Sequence, residues 1–139
     1  MLALKELDTR RLRRISAVGN RHKEKFAQYL TPVEIASFMA KITMRYFKLA
    51  DVVDVLDPGA GTGILSCSLI DELVKQGKSG LQNINLDAYE IDTSILSELE
   101  QTYKSLKSSK NVKYHIYEKT LSLMLGLYNI QFPSSPSVK

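Results

Sequence analysis

Cysteine is almost absent: Cys67 is the only one in 139 residues. An internal disulfide is therefore excluded, and the usage fits a reducing cytoplasm. Prolines and glycines are few, four and seven, beside 44% hydrophobic and 24% charged residues. That balance argues for a globular protein and against a disordered or fibrous one. No apolar run approaches the roughly 20 residues that span a bilayer, so no membrane association is expected. The N-terminus carries mixed charge and no apolar signal core, so export is not expected either. The two histidines, His22 and His115, stand alone and suggest neither a metal site nor a catalytic base. What is present suffices for one domain of modest size with a single core. Cys67 falls in an apolar helical stretch, where it reads as a small buried side chain rather than a reactive thiol.

The net charge of +4 is unevenly placed. Between Lys5 and Lys25 lie Arg10, Arg11, Arg13, Arg14, Arg21 and Lys23, opposed only by Glu6, Asp8 and Glu24. Such a segment can neutralise phosphates of a nucleic acid, and it can equally be a solvated helix face.

Along the chain, Leu4, Leu7, Leu12, Ile15 and Val18 have the spacing of an amphipathic helix ended by Gly19-Asn20. Thr31-Pro32-Val33-Glu34 reads as a helix start, with Thr31 at the cap and Pro32 at the first helical position. Ile35, Phe38, Met39, Ile42 and Tyr46 then line one face. Val52 to Leu56 suits a central strand covered on both faces. A helix follows, with Ile64, Leu65, Leu69 and Leu73 inward and Gly77 near its end. Ile84, Leu86 and Ala88 alternate as a second strand ending at Tyr89-Glu90. Asp92 or Thr93 can cap a helix carrying Ile95, Leu96, Leu99, Tyr103 and Leu106. Val112, Tyr114 and Ile116 read as a third strand. This alternation predicts parallel strands with helical crossovers, an α/β layered fold. The divisions are a basic lead-in over 1–30, the α/β part over 31–118, and an apolar segment with a Pro/Ser tail over 119–139. That last stretch receives no structural role.

The strongest local signal is Asp57-Pro58-Gly59-Ala60-Gly61-Thr62-Gly63, between a buried strand and a helix. Glycines there admit tight backbone angles and close approach of a ligand, the setting of a nucleotide-type cofactor site. Their alternate spacing departs from G-x-G-x-x-G, and no G-x-x-x-x-G-K-[ST] occurs, so a P-loop is excluded. A loop of this type led by an acid matches the methyltransferase form, which wraps the amino-acid end of S-adenosylmethionine; a glycine turn without a ligand is the alternative. Glu90 ends the second strand, where a carboxylate can accept hydrogen bonds from both hydroxyls of a ribose. Asp92, two residues on, suits helix capping better.

Ala27-Gln28-Tyr29-Leu30-Thr31-Pro32, then the glycine loop, then Ala88-Tyr89-Glu90-Ile91-Asp92, together resemble the N-6 adenine-specific DNA methyltransferases of restriction-modification systems. The resemblance covers roughly residues 20 to 118. It implies a Rossmann-like methyltransferase fold, here truncated after about three parallel strands and preceded by a helical segment. It also implies S-adenosylmethionine as cofactor, contacted by Tyr29, Thr31, Pro32, Asp57, Gly59, Gly61, Gly63, Glu90 and Ile91. Ala27 and Leu30 replace the family's usual glycine and aromatic, and Gly59 and Ala60 are variants within its D-P-A-C-G-S-G.

Two departures bear on activity. Where the family has an aspartate followed by an aromatic after the third strand, this chain has Glu118-Lys119-Thr120-Leu121. The family's Asn/Asp-Pro-Pro-Tyr/Phe, which receives a flipped adenine, has no counterpart, and no Pro-Pro pair occurs. No catalytic residue is therefore assigned. The expectation is the cofactor-binding part of a DNA methyltransferase, inactive alone: a fragment, a truncated product or one part of a split enzyme. Its partners would be DNA, through the complete enzyme, and a polypeptide supplying the rest of the sheet along the apolar edge of Val52–Leu56. The alternatives are a methyltransferase acting on RNA, protein or a small molecule, and a non-catalytic nucleic-acid or partner-binding module with a vestigial pocket.

Overall fold

The computed structural model describes residues 4–17, 30–48, 50–76, 82–109 and 111–119. Seven elements follow in order: α1 (Leu4–Ala17), α2 (Val33–Tyr46), β1 (Val52–Asp57), α3 (Ile64–Gln76), β2 (Asn83–Tyr89), α4 (Leu96–Ser109) and β3 (Val112–Tyr117). The three strands form one parallel sheet in the order β1-β2-β3. Val53 pairs with Ile84, Asp57 with Ala88 and Tyr89 with Tyr117, so the C-terminal ends of the strands lie level. The expected alternation of strand and helix is present.

Period-two alternation divides the sheet into two unlike faces. Val53, Ile84, Leu86, Ala88 and Val112 point to the core, where they meet Ile64, Cys67, Ile70 and Leu73 of α3 and Leu99, Tyr103 and Leu106 of α4. Each fully buried side chain of this size contributes about 1.5–3 kcal/mol relative to exposure. Cys67 is buried, as its place in the sequence predicts. Leu65 and Leu69, expected inward, are only partly buried against this core, while Cys67 and Ile70 take the inward positions. The opposite face carries Val52, Asp54 and Leu56 of β1, Asn83, Asn85 and Asp87 of β2, and Lys113 and His115 of β3, none of them buried.

The reading of Val52 to Leu56 as a strand covered on both faces is therefore corrected. β1 lies at the edge of the described sheet with one face covered, and Val52 and Leu56 are 47% and 55% exposed. The expectation of an apolar edge there holds.

Helix α2 is a second correction. Its inward side is Ala36, Ala40 and Met44, spaced by four residues, and the two small alanines let it pack closely against α3. The apolar stripe of Ile35, Phe38, Met39, Ile42 and Tyr46 lines one face as expected, and that face is exposed. The cap also shifts by one: Pro32 holds the N-cap position at φ −62 and ψ 149, makes no side-chain cap bond, and its carbonyl accepts the Ala36 N–H at 3.0 Å. Proline's fixed φ suits both the extended cap and the first helical turn, so the residue alone does not set the register.

In α1, Leu7 is fully buried, Leu4 and Ile15 are half-buried, and Leu12 faces solvent, contrary to its place in the expected apolar stripe. Val18 and the expected helix end at Gly19-Asn20 lie outside the described residues. Among the described residues no helix is long and apolar enough to cross a membrane, and no group of His, Cys, Asp and Glu could hold a metal ion.

Candidate cofactor-binding site

The loop from Asp57 to Gly63 leaves the C-terminal end of β1 and enters α3, and its shape follows from where its amides go. Gly61 and Gly63 adopt φ of +55 and +80, the left-handed region that favours glycine. At Gly63 a Cβ would lie 2.8 Å from Tyr103 Cε1 and 3.0 Å from Leu99 Cδ1, so α4 can pack here only against hydrogen. At Gly61 a Cβ would meet the Leu30 side chain at 3.2 Å, which places the segment before α2 directly over the loop. Gly59 differs from both, because a Cβ there would meet nothing within 4 Å.

Both predicted acids hold this loop. Asp57 is buried, accepts a hydrogen bond from the Ser66 hydroxyl and lies near the Gly59 amide. Ser66 Oγ in turn lies 3.0 Å from the buried Tyr103 hydroxyl. Burial pushes the Asp57 carboxyl above the ordinary aspartate value; the Ser66 bond and the Gly59 amide oppose that rise, and the charge of Glu90 adds to it. Glu90, 8% exposed, accepts the Gly61 N–H through Oε2 at 2.8 Å, and those of Ile91 and Asp92 through Oε1 at 2.8 Å each. The Ala60 amide donates to the Tyr89 carbonyl at 3.0 Å and the Gly63 amide to the Ala60 carbonyl at 2.7 Å. The amides of Ala60, Gly61 and Gly63 are thus occupied, that of Gly61 by a carboxylate.

That arrangement has a chemical consequence. A phosphate-binding loop presents free N–H groups to an anion. Here three such groups, at Ala60, Gly61 and Gly63, are bonded within the protein, and two carboxylates flank the turn. The site suits a ligand with cationic or neutral polar groups and disfavours one held by its phosphates.

The remaining predicted residues are distributed as follows. Thr31 is half-buried and Pro32 exposed, both beside the loop through their neighbour Leu30. Ile91 is 40% exposed directly after Glu90, an apolar side chain open to a ligand. Tyr29 lies outside the described residues, as do Gln28 and the basic residues Arg21, Lys23 and Lys25. Asp92 is confirmed in a capping role: its Oδ1 accepts the Ser94 N–H at 3.0 Å and its carbonyl the Ile95 N–H at 3.0 Å. Glu118 is exposed beyond β3.

An apolar cavity of about 210 Å³ opens behind the loop, lined among others by Ala36, Ala40, Leu56, Asp57, Pro58 and Ser66. Three features escaped the sequence reading. Tyr89 and Tyr117 stack at the ends of β2 and β3, centroids 4.7 Å apart, with Lys119 Nζ 5.5 Å from the Tyr117 ring. Their matching position at two aligned strand ends was the available signal. Ser66 and Tyr103 support Asp57 from the core side, and a polar Ser66 inside an apolar helix was the hint. Arg14 reaches the turn after Glu90 from 78 residues away, and no local pattern announces it.

No family model matches the chain. A solved structure of a candidate class I S-adenosylmethionine-dependent methyltransferase from Listeria monocytogenes superposes with a TM-score of 0.53 at 18% identity, covering 65% of this chain and 26% of that one. The fold is thus the Rossmann-like one of class I methyltransferases, with three of its parallel strands among the described residues. In sequence, 92 residues, 66% of the chain, are 27% identical to the Type II methyltransferase M.AccI of Acinetobacter calcoaceticus, and the match spans 15% of that protein. In fold and in sequence the chain thus resembles S-adenosylmethionine-dependent methyltransferases, and it spans 26% and 15% of the lengths of these two longer proteins.

Proposed function

We propose that this chain is the S-adenosylmethionine-binding portion of an adenine-N6-specific DNA methyltransferase of the restriction-modification type. The observation that carries the cofactor reading is the pair of carboxylates, Asp57 and Glu90, on a glycine loop whose Ala60, Gly61 and Gly63 amides are already bonded within the protein. It suits a sulfonium and an ammonium better than a pyrophosphate. Gly59 leaves room for close approach, Ile91 offers an apolar surface beside Glu90, and Glu90 Oε2 carries one amide where a carboxylate oxygen can accept about two partners. Thr31 and Pro32 border the loop, and Tyr29 precedes them. Bound there, the cofactor would supply an activated methyl group; the chain's own residues bind and orient it.

The DNA reading rests on the ordered motifs from Gln28 to Asp92 and on the kinship with a Type II methyltransferase. Without an Asn/Asp-Pro-Pro-Tyr/Phe segment to hold a flipped adenine, the chain by itself is inactive in this reading. A second polypeptide, or further sequence, would add strands along the open edge of β1, and the setting is cytoplasmic. The vestigial-pocket alternative is favoured by one observation, the three amides that already occupy Glu90.

Calorimetric titration with S-adenosylmethionine separates the two. Saturable binding, weakened at least tenfold in a folded Glu90→Gln, supports a working cofactor site. A folded chain that takes up no heat of binding leaves Glu90 as a structural clamp and overturns the proposal.

A further inference from the structure

Helix α1 lies far before the glycine loop in sequence, yet one of its arginines ends in the cofactor site's own support. Arg14 Nη2 donates to Asp92 Oδ2 at 3.0 Å and to Ser94 Oγ at 2.6 Å, and Nη1 lies 3.4 Å from the Ser94 carbonyl oxygen. Asp92 is 1% exposed, and a buried carboxylate of this kind requires a cation and hydrogen bonds. Asp92 Oδ1 is turned to the Ser94 amide and hydroxyl, at 3.0 and 2.7 Å, so one guanidinium closes the whole turn. The backbone of that turn reaches the site directly. The amides of Ile91 and Asp92 donate to Glu90 Oε1, and the other oxygen, Oε2, takes the Gly61 amide of the glycine loop. A continuous path therefore runs from Arg14 through Asp92 to Glu90 and on to Gly61.

We propose that Arg14 is a positioning residue for the ligand-binding carboxylate Glu90, so that α1 sets cofactor affinity without touching the cofactor. This rests on the cofactor reading given above. The planar fork of arginine is what the geometry uses, since one side chain spans both Asp92 and Ser94. The same contacts bear on the basic character of α1. Arg10 pairs with Glu6 at 2.9 Å and Arg11 with Asp8 at 2.6 Å, so three of its four arginines are paired with acids of the chain itself, and only Arg13 is exposed and without such a contact among the described residues.

The test uses the full chain and two readouts. Hydrogen exchange needs no ligand: Arg14→Ala should speed exchange of the Ile91, Asp92 and Ser94 amides while leaving the β1 amides unchanged. Calorimetry with S-adenosylmethionine should show affinity lowered about tenfold in Arg14→Ala, in line with loss of a charge-assisted bond seen through one intermediary. Arg14→Lys, which restores the cation but not the fork, should recover part of that loss. In a Glu90→Gln background the same Arg14→Ala change should have little further effect, because its action passes through Glu90. Unchanged affinity with unchanged exchange in folded Arg14→Ala overturns the proposal, as does full additivity with Glu90→Gln. If Arg14→Ala does not fold, Ser94→Ala takes its place, with faster exchange at Ile91 and Asp92 expected and unchanged exchange fatal. If the wild-type chain binds no cofactor, the cofactor reading fails by itself, and the exchange result still decides whether Arg14 orders the turn.

Discussion

Two carboxylates stand on either side of the glycine loop, and their surroundings assign them different work. Glu90 meets three backbone amides at the mouth of the site, whereas Asp57 is turned into the core toward Ser66 and Tyr103. For Asp57, burial outweighs the bonds it accepts, so its folded-state pKa stands above the reference value of 3.8. The native protein then binds this proton more tightly than the unfolded chain does. The contribution to stability is fully present below about pH 3.8 and is lost as pH rises through the raised pKa. Asp57→Asn keeps the shape and removes the charge. Urea midpoints measured from pH 3 to pH 7 should therefore move in favour of Asp57→Asn, relative to wild type, as pH increases. A difference that stays flat, or runs the other way, would show that Ser66 and Gly59 compensate the buried charge completely.

At the scale of elements, the contrast between β2–β3 and β1–α2 is the informative one. The open face of β2 and β3 is polar, with Asp87 and His115 3.4 Å apart, and is suited to water as it stands. Phe38, Met39, Ile42 and Tyr46 of α2 and Val52 and Leu56 of β1 are apolar and exposed, beside a strand edge unpaired among the described residues. An edge of that kind promotes association. Light scattering at rising protein concentration should show self-association by the wild-type chain, reduced in Phe38→Gln/Leu56→Lys with stability changed by less than about 1 kcal/mol. Equal scattering from both would remove the apolar edge as the cause. The same elements mark how far the sequence could be read. β2, β3 and the buried face of α4 follow from their own alternation and spacing, β1 from its apolar run though not its open face, and Glu90 from its place at a strand end. The inner face of α2 could not be read that way, because periodicity picks out the most apolar stripe while close helix packing selected Ala36 and Ala40. The ion pair between Arg14 and Asp92 was equally hidden, since it joins distant segments with no shared pattern.

For the whole molecule, the question is which ligand a glycine loop with three of its amides already committed will accept. ATP and dinucleotides also place a ribose near a strand-terminal acid, so Glu90 alone does not separate them from S-adenosylmethionine. Their phosphates do, because three N–H groups of this loop are committed to Tyr89, Glu90 and its own Ala60 carbonyl. A ligand that binds only the native state raises its stability by RT ln(1 + [L]/Kd), about 2.7 kcal/mol at a hundredfold excess over Kd. In a chain of this size, with one sheet face covered, that should lift Tm by several degrees. Thermal denaturation should then show a concentration-dependent rise with S-adenosylmethionine, and none with ATP, NAD or inorganic phosphate at equal concentration. A rise with ATP or NAD would mean that the loop amides open to phosphate on binding, and the argument from the closed loop would fall. A rise with S-adenosylmethionine alone would tie ligand choice to the two acids and the committed amides of Ala60, Gly61 and Gly63 rather than to the count of glycines.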